Sequence, residues 1–412
     1  YDLYKGFDFL QSVERYKYKP LFSRENLIGC GMANIPFYQT DFARRLHGPG
    51  PSEVSENVLK AMSAQTIGHL DPKFIDLMNG LQGRLRQLYQ TENAFALPVS
   101  GTGSAGMETL VANLVEPRDS VLVVVNGVFG GRIRDTVAKY GGNAKPVDLA
   151  WGTTLTPERL EQELSEGKYD SVFLVHAETS TGALQPRMRE LSDLVHSKVP
   201  LFLVDAVTSL GGTEVKLDEW DIDAAYSGPQ KCLSAPTSLS PIALRERALE
   251  KLDSRRADVR SWYFDLKQIM KYWNNGSGDR VYHHTAPINS IYALDQAVRN
   301  ALAEGLDKRF ERHRQSAAEL QEGLEALGFR YIVENPDQRL PMLHAVYVPT
   351  GINEADLRAR LLSNHNLEIG SALGKFKGHA VRIGLMGDSS KPENVDYILN
   401  AIAQELVAMR GK

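Results

Sequence analysis

Leu201-Phe202-Leu203-Val204-Asp205-Ala206-Val207 decides the fold: four consecutive apolar residues run into a carboxylate and then into small residues. A strand that is apolar on both faces belongs inside a sheet covered by helices on each side, whereas a half-exposed strand alternates. Similar short β-rich runs lie at 121–125, 172–175 and 224–227, and helical stretches such as 188–196 separate some of them. This alternation predicts an α/β domain with a mostly parallel sheet. In open α/β sheets ligands bind beyond the carboxyl ends of the strands, which is where Asp205 stands. A helix-capping aspartate is the plainer alternative for that residue.

Upstream of these strands, Val54, Val58, Leu59 and Met62, then Phe74, Leu77, Met78, Leu81, Leu85 and Leu88, recur at helical spacing and predict two amphipathic helices. Residues 1–45 are rich in aromatic and charged side chains without periodicity, and predict an arm that packs on something else. Beyond Pro287 come long helical patterns (288–303 and 306–327), strands at 329–333 and 345–348, and a closing helix from 392 to about 409. The expected organisation is therefore an N-terminal arm (1–45), a large domain (46–287) and a smaller α+β domain (288–412).

The chain has 412 residues, 42% of them hydrophobic and 24% charged, with a net charge of −4 and scattered basic residues. Nothing in that balance drives it toward nucleic acid or an anionic membrane. Cys30 and Cys232 are the only cysteines, which excludes a disulfide framework and a thiolate metal cluster and points to a reducing compartment such as the cytoplasm. No apolar run approaches the roughly 18 residues of a spanning helix.

Three segments carry chemistry. Pro98-Val99-Ser100-Gly101-Thr102-Gly103-Ser104-Ala105-Gly106 precedes a helical run, 107–114, and its glycines would let a phosphate approach the positive helix end. By itself it is also readable as a plain glycine-rich turn; it has neither the Gly-Lys-Ser/Thr ending of a Walker loop nor dinucleotide spacing. An ionised Asp205 can hold a pyridine nitrogen protonated and so make a cofactor ring an electron sink. In Tyr226-Ser227-Gly228-Pro229-Gln230-Lys231-Cys232 a strand runs into a turn that presents a lysine among small neighbours. Most lysines are solvated surface charges. A desolvated one beside a cofactor acts as nucleophile and then as general base. Phosphate loop, strand-end aspartate and strand-end lysine, in that order, are what a lysine-bound pyridoxal phosphate site requires.

With these residues in place the chain resembles the class V aminotransferases of the alanine–glyoxylate and serine–pyruvate type. Gly48-Pro49-Gly50-Pro51-Ser52, Thr66-Ile67-Gly68-His69-Leu70-Asp71-Pro72, Ser100-Gly101-Thr102-Gly103, Glu178-Thr179-Ser180-Thr181-Gly182, Tyr282-His283-His284-Thr285 and Arg382-Ile383-Gly384-Leu385-Met386-Gly387 resemble family motifs in the expected order. The resemblance spans about 46–406. It implies the fold-type I architecture of pyridoxal 5′-phosphate (PLP) enzymes, with PLP held on Lys231 as a Schiff base and Asp205 at the ring nitrogen. Thr102, Gly103 and Ser104 would bind the phosphate with help from Gln230, Thr179 would contact the phenolic oxygen, and Val207 would line the cofactor pocket. Phe129 stands where the family usually stacks a tryptophan. Tyr282 and Thr285 would reach the phosphate of a neighbouring subunit, implying a homodimer. Arg382 would clamp the substrate carboxylate, with Gly50 also at the substrate.

Two departures bear on substrate choice. Glu53 stands where many relatives have asparagine and would add a charge near the substrate entrance, and Ser371-Ala372-Leu373-Gly374 replaces a more glycine-rich run. The expected activity is ping-pong transfer of an amino group from a small amino acid such as alanine or serine to glyoxylate or pyruvate. Rival readings are a PLP lyase of the same fold, such as a desulfurase, and a non-catalytic PLP-fold binding protein. A nicotinamide oxidoreductase lacks the acidic residue at ribose distance. Paired His283 and His284 have no carboxylate cluster to complete a metal site, so no metal is expected.

Overall fold

In the computed structural model, which describes residues 44–273 and 280–410, the Leu201–Asp205 run is a strand buried over its whole length. It occupies the centre of a seven-stranded sheet ordered Phe95–Ser100, Leu239–Leu244, Ala224–Tyr226, Leu201–Asp205, Ser171–Val175, Ser120–Val125, Asn143–Asp148. Leu239–Leu244 runs antiparallel to both neighbours, and the pairs from Ala224–Tyr226 to Asn143–Asp148 are parallel. The mostly parallel α/β sheet is as expected. The arm expected over 1–45, with Cys30, lies outside the described residues as far as position 43.

Three strands of this sheet escaped the reading of the sequence. Phe95–Ser100 leads straight into the glycine-rich turn and is taken up in that motif. Asn143–Asp148 is polar, buries only Val147, and tolerates Pro146 because it is an edge strand. Leu239–Leu244 carries Pro241 opposite Pro98, and its Pro241 carbonyl accepts from the Ser227 amide and the Tyr89 hydroxyl, each at 2.8 Å.

The glycine-rich segment becomes the helix Gly103–Leu114. It seats directly on the sheet because Gly106 has no side chain: a Cβ there would lie 2.0 Å from Ser240 Oγ and 3.1 Å from Tyr226 Cβ. The two amphipathic helices appear as Glu56–Met62 and Pro72–Leu88. Helix Ile288–Glu304 packs against both, and its Ile291, Leu294 and Val298 join the core of the large sheet.

A second sheet orders Arg330–Tyr331, Leu343–Tyr347, Ala380–Gly384, Gly370–Ser371, all antiparallel. Its core residues Val346, Val381 and Ile383 meet Leu320, Leu357 and Ile398 from the helices Leu306–Ala326, Glu354–His365 and Pro392–Arg410. The chain enters along this region, with Arg45–Leu46 paired to Leu367–Glu368, and then crosses to the lysine turn, where the Ser52 amide donates to the Gln230 carbonyl at 2.9 Å. Among the described residues no helix is long and apolar enough to cross a membrane.

Candidate active site

Lys231 follows the strand Ala224–Tyr226 on a buried turn, and the crossing segment His47–Ser52 closes over it. Lys231 Nζ donates to the Pro49 carbonyl, and the Ser52 hydroxyl donates to the Lys231 carbonyl at 2.6 Å. Gly50, at φ +107°, lies flat against the amine: a Cβ would stand 2.8 Å from Nζ. Burial, reinforced by the nearby Arg382 charge, lowers the Lys231 amine to about 8. A buried amine that loses its proton this readily has nucleophilic character at ordinary pH.

Asp205 ends the adjacent strand, and the parallel register sets it beside Tyr226. The Val207 amide donates to Asp205 Oδ1 at 2.8 Å, and the Tyr226 hydroxyl donates to Oδ2. Burial pushes the carboxyl up to about 6 against the pull of these two donors, and the Glu178 charge pushes the same way. Asp205 is thus a buried acid held as an acceptor, short of a cation.

Glu178 is itself fully buried and anchors the next element. Its Oε2 accepts from the amides of Phe129 and Gly130 at 3.0 and 3.3 Å, and its Oε1 from the Ser180 amide at 3.0 Å. A carboxylate at the start of the helix Val128–Lys139 complements the helix dipole and fixes the turn that carries Phe129.

Lys231, Asp205, Phe129 and Thr179 share the walls of one cavity with Gly103, Ser104, Val207 and Gln230. Thr102 is the N-cap of helix Gly103–Leu114, but its side chain makes no capping hydrogen bond, so the first N–H groups of the helix face the cavity end unopposed by it. Gly103 approaches Gly228 closely, a Cβ there meeting its Cα at 3.6 Å. The buried Gln230 Oε1 has no hydrogen-bond partner.

Arg382 lies in the strand Ala380–Gly384 as expected. Its Nε donates to the Ser371 carbonyl at 2.9 Å, and it forms no ion pair among the described residues. Burial lowers this guanidinium to about 10, and its charge is felt at Lys231. A buried guanidinium without a carboxylate is a site for an anionic ligand.

Tyr282 and Thr285 are not walls of this chain's cavity: Tyr282 is 57% exposed and its hydroxyl lies 3.3 Å from Thr285 Oγ1. Glu53 corrects an expectation, for its Oε1 accepts from the Leu46 amide at 3.2 Å and it lines a separate cleft with Arg45 and Lys391. The carboxylate turns back to the Leu46 amide rather than toward Lys231. Tyr226, Arg132, Met107, Ala177 and Thr208 line the cavity without having been assigned a role. Tyr226 was legible as the strand residue leading to the lysine turn; Arg132 had a signal only in its helical spacing from Phe129.

A buried amine and a buried carboxylate at adjacent strand ends, flanked by a helix N-terminus and an unpaired guanidinium, define an α/β enzyme for anionic, carbonyl-bearing ligands. These residues fit PLP: open helix N–H groups at Gly103 and Ser104 for the phosphate, an acid for the ring nitrogen, and an amine for the aldehyde. The family described as aminotransferase class-V matches residues 46–396, and the chain belongs to it. It is an aminotransferase with the fold-type I architecture, in a family that depends on PLP. It is 38% identical over 382 residues to the (S)-ureidoglycine–glyoxylate transaminase of Bacillus subtilis, covering 88% of this chain and 91% of that protein. It is 34% identical over 364 residues to the alanine–glyoxylate aminotransferase of Drosophila melanogaster, covering 88% and 92%. The solved alanine–glyoxylate aminotransferase from Nostoc sp. matches with a TM-score of 0.85 at 41% identity, covering 94% of this chain and all of that one.

Proposed function

We propose that the chain binds PLP in the Lys231 cavity and moves an amino group from a small L-amino acid, alanine, serine or similar, to glyoxylate or pyruvate. The observation that carries this reading is the buried Lys231 amine, facing into a cavity that also exposes Asp205 and the helix start at Gly103. Glyoxylate as acceptor is supported by the names of relatives at 34–41% identity, each a transaminase of glyoxylate.

Thr102, Gly103 and Ser104 would bind the phosphate at the positive helix end, beside the Gln230 amide. Asp205 would hold the ring nitrogen, Phe129 and Val207 would pack on the ring, and Thr179 would meet the phenolic oxygen. Lys231 would anchor the aldehyde covalently. When bound, the cofactor supplies an electron sink for negative charge at the donor's α-carbon. Lys231 Nζ would serve as the general base that removes the donor's α-proton and, in the second half-reaction, as the general acid that protonates the acceptor's α-carbon. Arg382 forks the α-carboxylate and so fixes which C–H faces the amine, and Gly50 leaves room for it. Turnover is ping-pong because one site serves donor and acceptor in turn.

The active form in this reading is a homodimer, with Tyr282 and Thr285 completing the site of the second copy. Exposed Trp262, Tyr263 and Val281 near Tyr282 in sequence and space supply apolar surface for such an interface. Residues 46–287 would form the cofactor-binding part and 288–412 the smaller part, although helix Ile288–Glu304 buries its apolar face in the core of the large sheet. Cytoplasmic residence is consistent with the free thiol of Cys232. A desulfurase is disfavoured because that thiol is buried rather than mobile.

Borohydride treatment of the loaded protein is expected to fix the cofactor to the peptide containing Lys231, and Lys231→Ala to abolish it. Half-reaction absorbance with alanine, serine and (S)-ureidoglycine in turn identifies the donor. A loaded protein that no amino acid converts refutes the reading.

A further inference from the structure

Tyr226 has no role in the chemistry above, yet it is fully enclosed and forms part of the cavity wall. Its ring packs edge-on to Phe173 at 6.2 Å, a contact that phenylalanine would make equally well. The hydroxyl is what distinguishes it, and an interior hydroxyl is costly unless it is partnered. Its partner is Asp205 Oδ2, while Oδ1 takes the Val207 amide. Each oxygen of the carboxylate therefore holds one protein donor, which fixes the plane of the group and leaves lone pairs for a ligand.

We propose that Tyr226 is a positioning residue for transamination: its hydroxyl orients the Asp205 carboxylate and helps keep it ionised for a protonated pyridine nitrogen. The inference rests on the reading of Asp205 as partner of that nitrogen.

The surroundings of Asp205 support this. Burial and the Glu178 charge favour its protonated form, while the Tyr226 hydroxyl, then the Val207 amide, then the Lys231 charge favour the ionised form. The tyrosine is the strongest of these three. Tyr89, buried beside Asp205, and Arg132, near Tyr226, complete the titratable groups that act on the pair. Burial and the neighbouring carboxylate hold the Tyr226 phenol well above its ordinary range, so it stays protonated and donates at every working pH.

The test is a cycle between Tyr226→Phe and a cofactor analogue. Cofactor-free wild type and variant are titrated by absorbance with PLP and with its 1-deaza analogue, in which CH replaces the ring nitrogen, from pH 5.5 to 8.5. Tyr226→Phe is expected to bind PLP about tenfold more weakly near neutral pH, the scale of one hydrogen bond to a charged group. The pH below which PLP binding weakens should move up in the variant, and binding of the analogue should change less than about twofold. In an Asp205→Asn background the discrimination by Tyr226→Phe should vanish. Equal losses for both ligands would reduce Tyr226 to packing, and unchanged PLP affinity would remove its role; either result overturns the proposal. A wild type that binds both ligands equally would instead refute the reading of Asp205 itself.

Discussion

Gly50→Ala places a methyl group 2.8 Å from Lys231 Nζ, 2.9 Å from Cδ and 3.0 Å from Cε. Non-bonded carbons rest at about 3.5–4.0 Å, so the lysine tail must retreat by roughly 0.5–1 Å and release the Pro49 carbonyl. The backbone adds its own cost, because φ at +107° is glycine territory and strains any other residue by about 1–3 kcal/mol. These two effects separate in measurement. A lysine tail is flexible, so folding bears mainly the backbone strain, and the melting temperature should drop by a few degrees. Chemistry bears the displacement: moving a reacting amine by about 1 Å costs roughly 100-fold in rate. Steady-state transamination, with a thermal melt of the same preparation, is the assay. The expected outcome is a folded protein with kcat/KM reduced about 100-fold. A variant that melts at the lowered temperature yet turns over at the wild-type rate would refute the crowding of Lys231 by Gly50.

In the cofactor-free protein Lys231 titrates at about 8 against an ordinary 10.5, so the unfolded chain binds that proton more tightly and stability rises with pH across this interval. Lys231→Met should therefore be more stable than wild type below pH 8, by about 3 kcal/mol, with the gap closing by pH 10.5; urea melts at pH 7 and pH 10 with a constant gap would contradict this. Arg382→Lys keeps the charge and loses the fork, so KM for the amino donor should rise about 10- to 100-fold while cofactor affinity, read by absorbance titration, stays unchanged. Cys232 is buried, with its thiol pushed up to about 11 by burial, so iodoacetamide at pH 8 should spare it in the native protein and label it after unfolding. A labelled native Cys232 would reopen the desulfurase alternative.

The residues that chemistry demands were legible in the chain itself. An apolar run ending in Asp205, a strand ending in a turn that offers Lys231, and a glycine-rich stretch before a helix each carry a local pattern. Those patterns were enough to predict the parallel sheet and to single out the Gly103–Ser104 turn, Asp205 and Lys231, whereas Phe129, Thr179, Val207 and Gln230 were named through the family resemblance. Strands with a mixed pattern were not legible: Asn143–Asp148 is polar because it lies at an edge, and Leu239–Leu244 pairs across Pro241 and Pro98.

What only the tertiary structure decided are relations between distant positions. Gly50 lies against Lys231 because the chain crosses to it from the two-stranded pairing of Arg45–Leu46 with Leu367–Glu368. Arg382, carried by the four-stranded sheet, acts on the same lysine. Glu53, adjacent in sequence to this closing segment, turns away because the Leu46 amide offers its carboxylate a donor. Tyr226 meets Asp205 through the register of two parallel strands, and no local pattern encodes register. Residue type and spacing determine which groups can do chemistry, whereas packing and strand pairing determine which of them meet.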